Sequence, residues 1–103
     1  MKKFKVYQLP VEHEAKFMGL EFVTNHDIML KLEDYKLVGE SEIYPKASTS
    51  VTTMLDDIYT TLNTCRCDWF HGHSLSVSDV VEIDGKYYYC DSFGWEEVSL
   101  KAA

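Results

Sequence analysis

The sequence predicts an α+β domain in which one main amphipathic helix packs on a mostly antiparallel sheet of about five strands. Three observations carry that expectation. Apolar residues recur with helical spacing over 51–63, an Asp-Gly pair joins two strand-like runs over 80–90, and two further strand-like segments stop at Pro10 and Pro45.

Phe4, Val6 and Gln8 alternate with Lys5, Tyr7 and Leu9, which makes 4–9 a first strand; Pro10, unable to donate to a ladder, ends it. Over 15–23, Phe17, Met18, Leu20, Phe22 and Val23 fit a strand about as well as a helix. Gly19 disfavours the helix, so a strand is expected. Asn25 or Asp27 then caps a short helix through Ile28, Met29 and Leu32, followed by a strand over 35–44. Over 51–63, Val51, Met54, Leu55, Ile58, Tyr59 and Leu62 fall at i, i+3, i+4, i+7, i+8 and i+11, one stripe of a helix. Ser48, Thr49 or Ser50 offers a hydroxyl to its first free amides, and Thr52, Thr53, Asp56, Asp57 and Thr60 make its wet side acidic.

The hairpin reads Val80-Val81-Glu82-Ile83, turn Asp84-Gly85, then Lys86-Tyr87-Tyr88-Tyr89-Cys90. A two-residue type I′ turn needs positive φ at both central positions, which Asp-Gly tolerates. Setting Ile83 opposite Lys86 puts Val81 opposite Tyr88 on one face, with Glu82 opposite Tyr87 and Val80 opposite Tyr89 on the other. Ser92-Phe93-Gly94 turns the chain into a last short strand over 95–100.

The 103 residues make one domain, 1–103, of a size that buries roughly 65% of its unfolded surface without a metal or disulfide staple. With 46% apolar and 14% aromatic residues it is not a disordered chain. The net charge is −7, and Lys2, Lys3 and Lys5 hold three of the ten cations. A surface of that sign repels phosphates, so direct binding to nucleic acid or an anionic membrane is not expected; a basic protein surface is the expected partner. Met1-Lys2-Lys3 is followed by no continuous apolar stretch, so export through a leader is not expected either. No run approaches the roughly 20 apolar residues of a membrane helix. Cys65, Cys67 and Cys90 are an odd set, expected as thiols, and a cytoplasmic protein is the consequence. Nothing indicates the oligomeric state.

Cys65-x-Cys67-x3-His71-x-His73 brings four soft donors within nine residues, as a tetrahedral zinc site requires. The Cys-x-Cys and His-x-His spacings are tighter than zinc knuckles use, so no metal is expected, and the competing reading is a loop with incidental thiols. Gly72-His73-Ser74-Leu75-Ser76 begins like a nucleophile elbow but lacks its last glycine; Asp79 and Asp91 complete a Ser/His/Asp set only on paper. The glycines at 19, 39, 72, 85 and 94 are scattered, so no phosphate loop exists, and no cofactor is expected. The chain is expected not to be an enzyme. Its aromatic residues Trp69, Tyr87, Tyr88, Tyr89, Phe93 and Trp95 crowd the C-terminal half. Strand alternation sends Tyr88 opposite to Tyr87 and Tyr89, and one set is expected to stay exposed beside Glu82, Glu96 and Glu97 as an anchor for a protein partner.

Leu55-Asp56-Asp57-Ile58-Tyr59, the run from Gly72 through His73-Ser74-Leu75-Ser76-Val77-Ser78-Asp79-Val80-Val81, and Tyr88-Tyr89-Cys90-Asp91-Ser92-Phe93-Gly94-Trp95 together resemble the YodL-like domain. Lys5-Val6-Tyr7-Gln8-Leu9 and Asp34-Tyr35-Lys36-Leu37-Val38 fit its pattern too, so the resemblance covers most of the chain. Cys65 and Cys67 depart from that pattern. The resemblance implies a protein of bacterial conjugative elements, plasmids or phages and supplies no catalytic residues. Joined to small size and acidity, it points to a mobile-element inhibitor of a host defence nuclease. In that role Asp56, Asp57, Glu82, Asp84, Glu96 and Glu97, with Tyr88 and Trp95, compete with phosphates for a basic channel. A Cas9-type guide-RNA nuclease, which makes the role anti-CRISPR, or a restriction nuclease is the expected partner. The alternatives are an interaction module regulating transfer or replication of the element, and a small metal-binding hydrolase built on Cys65, Cys67, His71 and His73.

Overall fold

In the computed structural model, which describes residues 2–43, 50–64, 68–72, 75–92 and 94–100, the chain forms five strands and two helices. In order these are β1 (Lys2–Gln8), α1 (Leu20–Asn25), a single 3-10 turn (Leu32–Asp34), β2 (Lys36–Ile43), α2 (Val51–Thr64), β3 (Val80–Ile83), β4 (Lys86–Asp91) and β5 (Gly94–Val98). All neighbours in the sheet are antiparallel, in the order β2-β1-β3-β4-β5. The α+β architecture with one main helix is therefore as the sequence predicts.

The two clearest sequence signals produce the two best-matched elements. Asp84 (φ 54°) and Gly85 (φ 78°) both take the left-handed backbone of the hairpin turn, and the register is Ile83 to Lys86, Val81 to Tyr88, Glu82 to Tyr87 and Val80 to Tyr89. Helix α2 starts under a cap in which Ser50 Oγ accepts the Thr53 amide at 3.2 Å. Ser48 and Thr49, the other candidate caps, lie outside the described residues, as do Tyr44 and Pro45 at the expected end of β2. Met54, Leu55, Ile58 and Leu62 are buried, whereas Val51 and Tyr59, at the margins of the stripe, stay partly exposed.

The sheet is covered on both faces. On one, Phe4, Val6, Val81, Ile83 and Tyr88 pack with Leu55, Ile58 and Leu62 of α2 and with Leu75. Each large apolar side chain buried there contributes about 1.5–3 kcal/mol. On the other, Val80 and Tyr89 pack with Leu9, Ala15, Val23 and Tyr35 from the segment between β1 and β2.

That second cover differs from the sequence reading. Residues 15–23 are not a strand: three successive turns close by His13 N–H to Pro10 O, Lys16 N–H to His13 O and Met18 N–H to Ala15 O, each at 3.0 Å. Gly19 then serves as the N-cap of α1. The physical reason is that the two adjacent residues Ala15 and Lys16 both point inward, which period-two alternation forbids. Nor does a helix run through Ile28, Met29 and Leu32. Asp27 adopts φ 52° just after α1, which stops helical continuation, and the chain resumes only as the 3-10 turn. The last strand, β5, ends at Val98 rather than at 100.

Candidate functional site

The expected acidic surface is divided by the fold. Asp56 lies on the outer side of α2, one turn before Tyr59, whose ring meets Trp95 of β5 edge-on, with centroids 6.5 Å apart at 82°. These three residues, with Cys90, Asp91 and Ser92, line a groove of about 270 Å³ between α2 and the β4–β5 end of the sheet. Glu97 stands two residues from Trp95, so its side chain leaves the sheet on this same face. Asp56, Trp95 and Glu97 are thus brought to one side of the molecule.

The other expected residues are not. Asp57 rims a separate cleft of about 120 Å³ between α2 and β2, with Trp69 and Ile43. Glu82 projects from the opposite face, where the Tyr7 hydroxyl donates to its carboxylate at 3.3 Å and Lys5 is its cross-strand neighbour. Asp84, in the hairpin turn, is ion-paired with Lys2. Glu96 pairs with Tyr89 across the ladder and so leaves on the face away from α2. Tyr88 requires a correction: it is a core ring, buried between the sheet and α2, and cannot anchor a partner in the folded chain. Alternation put Tyr88 opposite Tyr87 and Tyr89 correctly; the helix covers the Tyr88 side.

Two groove residues escape the sequence reading. Tyr59 belongs to the apolar stripe, yet its position at the stripe's margin leaves it 39% exposed. Asp91 sits beside the turn, and its Oδ1 accepts the amides of Leu20 at 3.2 Å and Ser92 at 2.7 Å. At the groove wall Cys90 is a free, buried thiol. Burial first, then the charges of Asp79, Asp91 and Asp56, push it up to about 12, so it stays protonated and unreactive near neutral pH.

Residues 75–79, of which Val77 lines the groove, tie α2 to the sheet. Asn63, near the end of α2, clamps Leu75 by accepting its amide at 2.6 Å and donating to its carbonyl at 3.2 Å. Asp79 is fully buried; it accepts from Gln8 Nε2 at 3.1 Å and the Ser76 amide at 2.9 Å, and pairs with Lys16 Nζ at 3.5 Å. Burial, the largest influence, raises its pKa against the lowering effect of those partners. Ser78, at φ 90°, accepts the Phe17 amide at 3.0 Å with its hydroxyl and the Tyr35 hydroxyl at 2.9 Å with its carbonyl. Asp79 and Asp91 are thereby committed to structure. Gly72 approaches Gln8 so closely that a Cβ there would lie 2.2 Å from Gln8 Oε1.

Of the metal and nucleophile candidates, Cys65, Cys67, His73 and Ser74 lie outside the described residues, as does Phe93; His71 is exposed. A larger groove, about 470 Å³, opens at the far end of the sheet among Leu9, Pro10, Val11, Val38, Lys36 and His71, and its described lining carries no carboxylate.

A family model described as the YodL-like domain matches residues 3–100. The chain belongs to the YodL-like domain family. In this YodL-like chain the match runs from β1 through β5, so the sheet, α2 and the groove between them all lie within the domain. No curated protein and no solved structure matches it. No helix among the described residues is long and apolar enough to cross a membrane.

Proposed function

We propose that this YodL-like chain is a non-catalytic binding module that docks the α2–β5 side of its surface on a basic protein partner. The observation that carries the reading is the groove that Asp56, Tyr59 and Trp95 line together, with Glu97 on the same face, in a chain of net charge −7. Aromatic rings supply contact area at small entropic cost, while flanking carboxylates steer and select a cationic surface. Glu82 and Asp84 have cationic neighbours of their own and drop out of the binding set.

In its sharpest form the partner is a nuclease of host defence, and the carboxylates occupy lysines and arginines that otherwise meet phosphates, an anti-CRISPR role if the nuclease is of the Cas9 type. Cytoplasmic action and carriage on a mobile element go with that form. The test is binding of the purified chain to purified Cas9-type and restriction nucleases over a salt series, paired with a plasmid-interference assay. Support is binding that weakens as salt rises and falls about tenfold or more in an Asp56→Lys variant. Absence of binding at low salt to every nuclease tried removes the nuclease form. Binding indifferent to Asp56→Lys and to Tyr59→Ala removes this face.

A further inference from the structure

The outer edge of β5 has no strand partner among the described residues, and the direction of its backbone groups follows from the hairpin. In a two-residue hairpin the residues flanking the turn, Ile83 and Lys86, exchange both backbone bonds, so Lys86, Tyr88 and Cys90 direct their N–H and C=O groups to β3. The Cys90 amide bond to Asp79 O, at 2.8 Å, fits that phase. Tyr87, Tyr89 and Asp91 then serve β5 through their partners Val98, Glu96 and Gly94. The amides and carbonyls of Trp95 and Glu97 are left facing outward. Those are the two β5 residues whose side chains lie on the α2 face, continuous with the groove.

We propose that this edge takes an extended, lysine- or arginine-rich segment of the partner as an added strand. The proposal rests on the basic-partner reading above and assigns its binding mode. Main-chain groups of Trp95 and Glu97 supply ladder bonds, and side chains alternating along the added strand reach two sets of carboxylates. One set, Glu97 with Asp56, lies toward α2, where Trp95 offers a ring face for a cation; the other is Glu96 on the opposite face. Charge decides the occupant. A second copy pairing antiparallel through this edge, with Trp95 opposite Glu97, sets Glu96 directly against its own copy, and directly opposed like charges destabilise a ladder. A cationic strand meets the opposite sign at Glu96 and at Glu97.

The probe is a short capped peptide alternating lysine with valine, and its counterpart alternating glutamate with valine, added to the full chain at low salt and followed by NMR and amide exchange. Expected are slowed exchange at the Trp95 and Glu97 amides and backbone contacts from Glu97 to the lysine peptide, with no response to the glutamate peptide. Glu97→Pro removes one outward N–H without removing a bond to β4 and should abolish the protection. Glu97→Lys leaves the backbone intact, guarding against a misfolded proline variant, and should weaken the lysine peptide roughly tenfold while Asp84→Asn leaves it unchanged. Shifts confined to Tyr59 and Trp95 side chains, with Glu97 unprotected, overturn the added strand and leave the basic-partner reading standing. No response to the lysine peptide anywhere overturns the added strand; salt-sensitive binding of a folded nuclease would still support the reading beneath it.

Discussion

The two covers of the sheet are built by different chemistry. Beneath α2 the interface is a set of apolar side chains, Leu55, Ile58 and Leu62 against Phe4, Val6, Val81 and Ile83. The segment between β1 and β2 packs through its own apolar cluster and is also tied to the sheet by polar groups: Lys16 on Asp79, and the hydroxyls of Ser78, Tyr35 and Tyr89. A helix satisfies most of its own backbone, so its cover needs only shape and apolar area. An irregular segment cannot. Its amides and carbonyls are met from outside, the Phe17 amide by Ser78, the Met18 carbonyl by Tyr89 and the Leu20 amide by Asp91, and no buried polar side-chain atom is left unpaired among the described residues.

The polar attachment is most vulnerable at Asp79. Asp79→Ala leaves the Lys16 ammonium buried beside a cavity, and denaturant unfolding should report a loss of about 3–5 kcal/mol. Replacing both partners, Lys16→Met with Asp79→Leu, should recover most of that loss. If the double variant is as unstable as the single one, the polar side is not held by a compensated pair. Within the apolar contact of α2, Leu55→Ala should cost about 2–5 kcal/mol through lost burial and a cavity, with no partner whose removal restores stability. The contrast between rescue at the polar pair and none at the apolar contact is the quantity to measure.

Alkaline titration sharpens the same contrast by pH. Cys90, on the α2 face, has a folded pKa raised from 9.0 to about 12, so the native state holds a proton that the unfolded chain releases. Its stabilisation is complete below pH 9 and is lost as pH rises toward 12, at a slope approaching about 1.4 kcal/mol per pH unit. Burial raises Tyr35 and Tyr89 on the other face as well, but from 10.0, so their share begins a unit later. Cys90→Ala should flatten the denaturation midpoint between pH 9 and 10 and leave the fall above it; an unchanged slope in that interval contradicts the assignment.

These differences also explain what could be read in advance. The stripe of α2 and the Asp-Gly hairpin, register included, are local signals: periodicity and positive φ act within a few residues. The 11–35 segment is not local. Lys16 turns inward because Asp79 is there, and Phe17 takes φ 65° because Ser78 holds its amide, partners some sixty positions away that no window contains. The proposed binding face is half legible for a related reason. Asp56 and Trp95 stand out by residue type, and Trp95 was correctly placed on a strand. That Tyr59 meets Trp95, that Tyr88 is under α2 and that Glu82 faces away depend on which side of the sheet the helix covers, and alternation alone is indifferent to that choice.

The position of β1 inside the sheet, between β2 and β3, carries a kinetic consequence. It can zip to β2 early, yet its other edge finds β3 only through contacts such as Tyr7 with Glu82, 75 positions apart. During synthesis the apolar row Phe4 and Val6 therefore waits, with one edge open, until nearly the whole domain has emerged. Loop closure of that length slows folding and leaves an unpaired strand available to wrong neighbours. Nascent chains truncated before residue 80 should be the sticky ones.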